Sequence, residues 1–457
     1  MIIYDTIIYM KLTFNGGVGE VTGANYLLES GTKKILIDCG LHQGSHFSDQ
    51  LNWESFPYNP AEIDAVVITH THIDHTGLLP KLVRDGFKGR VISTEPTKDF
   101  AKILLMDSEH ILLQEAERHK KEPLYTLRDI EDLMAKWEGY RYHEEVEIGP
   151  FRVTLFNAGH ILGSSIILIE VEGKKIIFSG DLGNTPSPII GATEFLGDDI
   201  DYCLIESTYG NRIHEGPHQK GVVEDVIEET VKRGGTLLIP AFAMERTQKL
   251  LFEINELIEN GRIPQIPIFL DSPLAIKVTD VYKKHTDYFD EETIKYLKKD
   301  HTLFSFPGLK QTITTDESKS INDIQPPKVI IAGSGMSQGG RILHHEKRYL
   351  SDSKNTILFV GYQAKNSLGR KIQDGEKVVT IHKEKIPVKC KIVSAGNYSA
   401  HADQNQLLDW LYPMRYGLEK VFVVQGDPEE SEALRNKIVN DLVVRAEIPE
   451  KGKTYEL

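Results

Sequence analysis

The segment AVVITHTHIDHTG, residues 65–77, carries the strongest functional signal in this chain. Its first five residues are mostly apolar and predict a strand. Four metal-ligand side chains follow within six positions: His70, His72, Asp74 and His75. We refer to these four residues as the histidine cluster. Because the cluster follows a strand, we expect it at the rim of a sheet, where its side chains can converge on an ion. Imidazole and carboxylate groups suit zinc and related metals.

The spacing within the histidine cluster predicts two directions for its side chains. His70 and His72 point the same way in an extended loop, because alternate residues share a face. The chain is then predicted to turn into a helix over residues 76–83, and this turn directs Asp74 and His75 toward a second position. The pattern therefore favours a metal centre over ordinary core or surface histidines.

Polar residues also follow other predicted strands. Asp38 ends the apolar run KKILID, Asp181 ends KKIIFSGD, and His160 lies in NAGHILGS between two predicted strands. Taken alone, each residue is more typical of a turn or a cap. Together with the histidine cluster, they predict that one sheet edge carries all the ligands.

The composition is that of a folded protein large enough for two domains. Of 457 residues, 40% are hydrophobic and 26% are charged, which excludes wholesale disorder. No apolar run approaches the roughly 18 residues of a membrane helix, and the first residues lack a secretion signal. Three separated cysteines with no CxxC pair fit a reducing compartment. We expect a cytoplasmic protein with no membrane partner, and we interpret residues 1–9 as an extension upstream of the true start.

Charge is distributed unevenly along the chain. Residues 208–393 hold 28 basic and 24 acidic residues, whereas the rest of the chain holds 25 basic and 43 acidic ones. A polyanion would be attracted to this middle block and repelled elsewhere. A solvated surface without any partner explains the same numbers equally well.

The predicted elements change character along the sequence. Short strands separated by glycine dominate the first 207 residues, with helical periodicity at 97–120 and 127–137. Regular strand–helix alternation begins at residue 208 and predicts βαβ units on a parallel sheet. Residues 301–327 are polar and irregular and predict a loop.

At family level, the motifs HTHIDH, AGHILGS and FSGD resemble the metallo-β-lactamase fold, an αββα sandwich with a metal site on one edge. The motifs IESTYGNR, DSPLA, GSGMSQGGRILHH, GYQAKNSLGR and YSAHAD resemble the β-CASP nucleases, which include RNase J and the endonuclease subunit of the pre-mRNA 3′-end cleavage complex. The resemblance implies an α/β protein in which a β-CASP domain, residues 208–393, is inserted between the two parts of a metallo-β-lactamase domain, residues 1–207 and 394–457.

The resemblance also implies a role for each matching site residue. His70, His72 and His160 match the ligands of a first zinc, Asp74 and His75 match ligands of a second, and Asp181 matches the carboxylate that bridges both ions. The implied catalytic residues are Asp74, which is also a zinc ligand, Glu206, the acidic β-CASP residue, and His401, the histidine that gives a proton to the leaving group. Asp38 is the acid that orients a ligand histidine.

One position departs from the family pattern. The family usually has a histidine in a strand-ending VHGE-like motif, and this histidine completes the second zinc site. The present chain reads VFVVQGDPEE, which puts Gln425 in that place and Asp427 where a glutamate is usual. An amide oxygen is a poorer zinc ligand than an imidazole nitrogen, so we expect a second site that is weak or filled by a harder ion such as manganese.

The implied function is metal-dependent hydrolysis of phosphodiester bonds in single-stranded RNA. Two ions sharing a hydroxide would make it nucleophilic. His401 would protonate the leaving oxygen, and Glu206 would orient its imidazole. The resemblance also allows a homodimer, and it leaves open whether cleavage is internal or starts at an RNA end.

The glycine-rich stretch GSGMSQGG precedes a predicted helix, and a phosphate could bind at the start of that helix. Ser334, Ser337 and Arg341 are the candidate phosphate- or RNA-binding residues. Tyr209 and Tyr362 could stack on bases, although most tyrosines serve packing.

Two alternatives belong to other functional classes. The first is an RNA-binding protein whose catalysis is impaired by Gln425. The second is a small-molecule hydrolase of the same fold, such as a thioesterase, although such an enzyme has no need for the basic insert.

Overall fold

A computed structural model describes residues 10–44, 50–185, 187–214, 221–299, 302–395 and 399–457. Residues 1–9, interpreted above as an upstream extension, lie outside the described residues. The chain divides into two compact units. The first comprises Met1–Ile213 and Ala400–Leu457, and the second comprises His214–Ser399.

The first unit contains two seven-stranded mixed sheets, whose strands we number in chain order. The first sheet has the order β22-β1-β2-β3-β4-β5-β6. Its strands are antiparallel from β22 to β3 and parallel from β3 to β6. Their bounds are β1 Lys11–Gly16, β2 Asn25–Ser30, β3 Lys33–Ile37, β4 Ala65–Val67, β5 Arg90–Thr94, β6 Trp137–Tyr140 and β22 Thr454–Glu456.

The second sheet of this unit repeats that arrangement. Its order is β21-β20-β11-β10-β9-β8-β7. Strands β21 to β10 are parallel, and β10 to β7 are antiparallel. Their bounds are β7 Glu145–Ile148, β8 Phe151–Asn157, β9 Ser165–Val171, β10 Lys174–Phe178, β11 Tyr202–Glu206, β20 Lys420–Val424 and β21 Ala446–Glu447.

The two sheets pack face to face between layers of helices. Alternation along each strand explains this, because Ala65 and Val67 enter the core between the sheets while Val66 packs against helices on the outer face. A third buried cluster joins the outer face of the second sheet to helices that include Trp410 and Leu434. The α-helices are Ile73–Thr76, Leu79–Arg84, Glu95–His119, Leu127–Met134, Gln404–Leu411 and Pro428–Lys437, with short 3₁₀ or π turns at Pro60–Glu62, Tyr412–Met414 and Ile438–Leu442.

The second unit is built on a six-stranded sheet of order β14-β13-β15-β12-β16-β19. Every neighbouring pair is parallel, which confirms the βαβ prediction. Its strands are β12 Thr236–Pro240, β13 Ile268–Leu270, β14 Leu309–Gln311, β15 Lys328–Ala332, β16 Thr356–Phe359 and β19 Lys391–Ser394, and a separate hairpin pairs β17 Val378–Ile381 with β18 Glu384–Pro387. The helices are Val222–Lys232, Arg246–Glu259, Pro273–Lys284, Glu291–Leu297, Thr315–Ser320, Ile342–Tyr349 and Leu368–Gln373, with 3₁₀ turns at Thr286–Tyr288 and Ile321–Asp323.

Three local predictions are wrong. The helix predicted over 76–83 is two helices, because the first ends at Thr76 with Gly77 as its C-cap, and the second begins at Leu79 with Pro80 in its first turn. The helix predicted over 127–137 ends at Met134, and Trp137 instead begins β6, where its indole nitrogen donates to Ser93. The loop predicted over 301–327, whose first residue lies outside the described part, contains β14, the helix Thr315–Ser320 and a 3₁₀ turn.

Two findings bear on the composition. None of the described helices combines the length and the apolar character needed to cross a bilayer. All three cysteines, Cys39, Cys203 and Cys390, are buried free thiols.

Candidate metal centre

The candidate site lies where several strands of the first unit end. β3 leads to Asp38, β4 to Thr69 and the histidine cluster, and β10 to Asp181, while Glu206 ends β11 and Gln425 follows β20. Because parallel strands end at the same edge of a sheet, these residues come to one edge of the sandwich. His160 reaches the same place from the loop between β8 and β9.

Asp38 organises the start of the histidine cluster. Its carboxylate accepts hydrogen bonds from the Thr69 backbone nitrogen (2.8 Å), from the Thr69 hydroxyl (2.8 Å) and from His75 Nδ1 (2.7 Å). Its backbone is left-handed, with φ of 57°, and its side chain is 1% exposed. Asp38 therefore fixes the tautomer of His75 with the proton on Nδ1, which leaves Nε2 free to face the site.

Glycine at position 40 permits a close backbone contact that holds the cluster in place. A Cβ atom on Gly40 would lie 1.6 Å from the carbonyl oxygen of Asp74, so no other residue fits there without movement. In the same region the Cys39 backbone nitrogen donates to the carbonyl of His75 (2.8 Å), and the Ala24 nitrogen donates to that of Asp74 (3.0 Å). The loop after β3 thus clamps the main chain of the cluster.

Four ligand atoms converge in the arrangement expected for one tetrahedral ion. His72 Nδ1 lies 3.0 Å from His70 Nε2 and 3.3 Å from His160 Nε2. Asp181 Oδ2 lies 3.5 Å from His70 Nε2 and 3.6 Å from His160 Nε2. Metal–ligand bonds of about 2.0–2.1 Å place tetrahedral ligand atoms about 3.3–3.4 Å apart. The four residues therefore fit a zinc-sized ion, and we call them the first-site quartet.

The electrostatics of this quartet favour a cation. Burial, together with the neighbouring imidazoles, lowers the pKa of His70, His72 and His160 below the usual histidine range. Burial opposes the charge of Asp181, but His75, His70 and His401 outweigh it and hold its pKa well below normal. Three neutral imidazoles and one carboxylate are the protonation states that metal binding requires.

The residues of the second position do not form a comparable set. His75 Nε2 lies 3.4 Å from Asp181 Oδ1 and 4.0 Å from Asp74 Oδ2. Gln425 is 2% exposed, and its Nε2 lies 2.9 Å from His75 Nε2 and donates to Asp181 Oδ1 at 3.0 Å.

His401 and Glu206 meet beside the first-site quartet. His401 Nδ1 lies 3.4 Å from each carboxylate oxygen of Glu206 and 3.8 Å from Asp181 Oδ2. Glu206 is completely buried and also accepts from the backbone nitrogen of Leu182 (2.6 Å). The His401 side chain is 21% exposed, so it can reach a substrate while Glu206 holds it from behind.

Backbone pairing fixes the segment that carries His401. His401 forms an antiparallel bridge with Gly183, just after Asp181. The Ala402 nitrogen donates to the Leu182 carbonyl, and the Asn184 nitrogen donates to the Ala400 carbonyl, both at 2.8 Å. The sequence places His401 about 220 positions from Asp181, and this pairing brings them together.

The predicted phosphate-binding residues lie in the second unit and are bonded to protein groups. Arg341 donates to Asp271 (2.7 Å) and to the carbonyls of Thr312 and Ile313. Ser337 is buried and donates to Glu346 at 2.5 Å. The Ser334 hydroxyl accepts from two backbone nitrogens, those of residues 338 and 339.

Sequence reasoning missed two residues that organise these regions. Thr69 links Asp38 to His70 and His75 through its hydroxyl, and its only sequence signal is its place between the strand and the cluster. Asp271 is fully buried and binds His345, Arg341, Ser318 and Thr312. Asp271 begins the DSPLA motif, which indicates family resemblance but not these contacts.

Three known protein-family models match parts of this chain. Residues 18–216 match the model of the metallo-β-lactamase superfamily, and residues 247–372 match the Beta-Casp domain. Residues 385–449 match the Zn-dependent metallo-hydrolase RNA specificity domain. A ribonuclease from Thermus thermophilus is 37% identical over 427 residues, which are 93% of this chain and 95% of the relative. The chain belongs to the β-CASP ribonuclease family of the metallo-β-lactamase superfamily.

Other relatives agree with this family membership. An RNase J-like protein from Methanocaldococcus jannaschii is 32% identical and covers 96% of this chain and 98% of its own length. A transcription termination factor from Methanosarcina mazei is 30% identical over 95% of this chain and 70% of its own length. A crystal structure of a protein of unknown function from Enterococcus faecalis superposes with a TM-score of 0.58 at 13% identity, over 98% of this chain and 100% of that one, and this likeness concerns the fold alone.

The predicted fold class and the family resemblance are thus confirmed, as is the prediction that the chain is a hydrolase. The metallo-β-lactamase fold implies a divalent metal, typically zinc, and the first-site quartet has the donor chemistry to hold one.

Proposed function

We propose that this chain hydrolyses phosphodiester bonds of single-stranded RNA in a metal-dependent reaction. The observation that carries the proposal is the first-site quartet with His401 beside it. The four ligand atoms lie within 4.8 Å of one another, with four of their separations at 3.0–3.6 Å, and a partly exposed imidazole lies 3.8 Å from the carboxylate of Asp181. The RNA substrate is supported by the family model named for RNA specificity and by the ribonuclease relatives.

His70, His72, His160 and Asp181 would hold a divalent cation, which would act as a Lewis acid that neutralises phosphate charge and makes water a better nucleophile at neutral pH. The protein's own contribution is to hold the ligands rigidly and in the correct protonation state. Asp181 is central, because its Oδ2 faces His70 and His160 while its Oδ1 faces His75. Oδ2 thus belongs to the first-site quartet, while Oδ1, the atom that would face a second ion, accepts a hydrogen bond from Gln425.

His401 is proposed to donate a proton to the departing 3′ oxygen. A cleaved phosphodiester leaves an alkoxide that needs a proton, and a histidine can supply one near neutral pH. Both oxygens of Glu206 face His401 Nδ1, so the carboxylate orients the ring and stabilises its positive charge. The rings of Tyr209 and His401 also pack perpendicular to each other, with centroids 5.9 Å apart.

The insert predicted at residues 208–393 is proposed to contribute RNA contacts. Its excess of basic over acidic residues supports this role, because the rest of the chain is strongly acidic. If Ser337 or Arg341 binds phosphate, the bonds to Glu346 and Asp271 must be exchanged during binding. Tyr362, which is half exposed, remains a candidate for base stacking.

The test is cleavage of RNA labelled at its 3′ end and carrying a 5′ monophosphate, triphosphate or hydroxyl, with and without chelator. We expect cleavage that the chelator abolishes and that zinc or manganese restores. Product lengths separate internal cutting from stepwise removal from the 5′ end. Binding without cleavage would support the RNA-binding alternative, and thioester hydrolysis without RNA cleavage would support the small-molecule hydrolase. Light scattering on the same preparation tests the homodimer.

Two alanine variants distinguish a residue that binds the metal from a residue that acts as the general acid. His401→Ala is expected to slow cleavage while metal content stays unchanged, and His160→Ala is expected to lose both. If His401→Ala also loses metal, His401 is a ligand, as its grouping with Asp181 and Glu206 would allow.

A further inference from the structure

We propose that Gln425 closes the second metal position with its own amide, so that this enzyme holds one metal ion per chain. This inference rests on the proposed function only for the identity of the site. It concerns the chain's own residues, and it departs from the two-ion arrangement that the family resemblance implies.

The side-chain amide of Gln425 points at the two atoms that a second ion would need. Its Nε2 lies 3.0 Å from Asp181 Oδ1 and 2.9 Å from His75 Nε2. A carboxylate oxygen accepts hydrogen bonds, so the amide atom facing it is the NH₂ group. Asp38 selects the neutral His75 tautomer that carries its proton on Nδ1 and donates it in a hydrogen bond of 2.7 Å, so His75 Nε2 also accepts. The NH₂ group of Gln425 therefore donates one hydrogen to Asp181 Oδ1 and the other to His75 Nε2, the two atoms that a second ion would bind.

The main chain fixes this side chain in place. Gln425 has a left-handed backbone with φ of 50°. Its nitrogen donates to the carbonyl of Gly17 at 2.7 Å, and its carbonyl accepts from the Ser207 nitrogen and the Thr208 hydroxyl. The residue is 2% exposed. Because its backbone is held on both sides, the side chain is directed into the site and has no open path to solvent.

Asp74, the remaining candidate ligand of the second position, contributes little to the binding of an ion there. Asp74 Oδ2 is 4.0 Å from His75 Nε2, compared with 3.0–3.6 Å for the four separations given for the first-site quartet. Among the residues that the structure describes, two groups of converging ligand atoms occur, the quartet and the trio Asp181, Glu206 and His401. Neither includes Asp74 or His75. A second ion would have to displace the amide and break both of its hydrogen bonds.

The experiment measures metal stoichiometry and does not depend on activity. The purified full chain and its variants are incubated with excess zinc, or separately with excess manganese. They are passed over a desalting column and analysed by mass spectrometry for bound metal. We expect one equivalent in the natural chain. Gln425→His and Gln425→Glu each replace the NH₂ donor with a metal ligand, and we expect two equivalents in both.

Two further measurements complete the design. Asn405→His adds a histidine at an exposed position of the helix Gln404–Leu411 and should stay at one equivalent. Circular dichroism confirms that each variant is folded, and two different substitutions at position 425 guard against failure of one to fold. Two equivalents in the natural chain, or one equivalent in both folded position-425 variants, would overturn the inference. Absence of RNA cleavage with one equivalent bound would instead count against the proposed function.

Discussion

Replacement of Asp38 by alanine should strongly destabilise the first unit. Asp38 is 1% exposed and accepts three hydrogen bonds at 2.7–2.8 Å, two from Thr69 and one from His75. Alanine leaves the Thr69 amide and the His75 ring nitrogen buried without acceptors. Each orphaned donor costs about 1–3 kcal/mol, so the two donors together cost about 2–6 kcal/mol. We therefore expect a loss of about 2–6 kcal/mol in the free energy of unfolding.

The assay is urea unfolding of the metal-free protein followed by circular dichroism, which isolates folding from metal binding. Asp64→Ala is the matched control, because Asp64 also accepts a backbone hydrogen bond (from Lys34, 2.9 Å) and one from Lys33 (2.7 Å) but its side chain is 26% exposed. We expect this control to lose about 1 kcal/mol or less. If Asp38→Ala were no less stable than Asp64→Ala, the hydrogen-bonded arrangement of Asp38, Thr69 and His75 would not be the support that holds the cluster.

Three more predictions follow from other parts of the structure. Gly40→Ala should reduce bound metal, because the new Cβ would collide with the Asp74 carbonyl, whereas Gly339→Ala, which faces open space, should retain it; equal metal content would contradict the clamp. Burial raises the pKa of Glu346 from 4.5 to about 8. Unfolding therefore releases a proton between these pH values, so stability should fall as pH rises from about 4.5 to 8, and Glu346→Gln should flatten this dependence in urea titrations. Chelator should lower the thermal unfolding midpoint of the natural chain, because a bound ion stabilises the folded state. It should leave the midpoint of a folded His160→Ala variant unchanged, because that variant holds no ion to remove.

Much of the candidate site could be predicted because its residues follow strands. Asp38, Asp181 and the histidine cluster each come directly after an apolar run, and strand ends at one sheet edge bring such residues together. Periodicity could not show what Thr69 and Gln425 bind. Their contacts depend on left-handed backbones at Asp38 and Gln425, which favour glycine and which no local pattern indicates here.

The errors in the fold have a related origin. Trp137 continues a helical pattern, but its indole finds a hydrogen-bond partner in Ser93 on the neighbouring strand, so tertiary contacts override local periodicity. Residues 301–327 lack apolar periodicity, yet β14 forms at the end of the parallel sheet by pairing with β13. The capping box formed by Thr314 and Glu317 marks the start of the helix Thr315–Ser320, which this sequence signature could have located.

The central claim is that three imidazoles and the carboxylate of Asp181 surround a single cation. X-ray absorption at the zinc edge of the loaded natural chain tests it most directly. We expect a first shell of nitrogen and oxygen atoms at about 2.0–2.1 Å, with the outer-shell scattering of imidazole rings. That imidazole signal should fall in a folded His160→Ala variant. A shell dominated by sulfur, or one without imidazole scattering, would contradict the account.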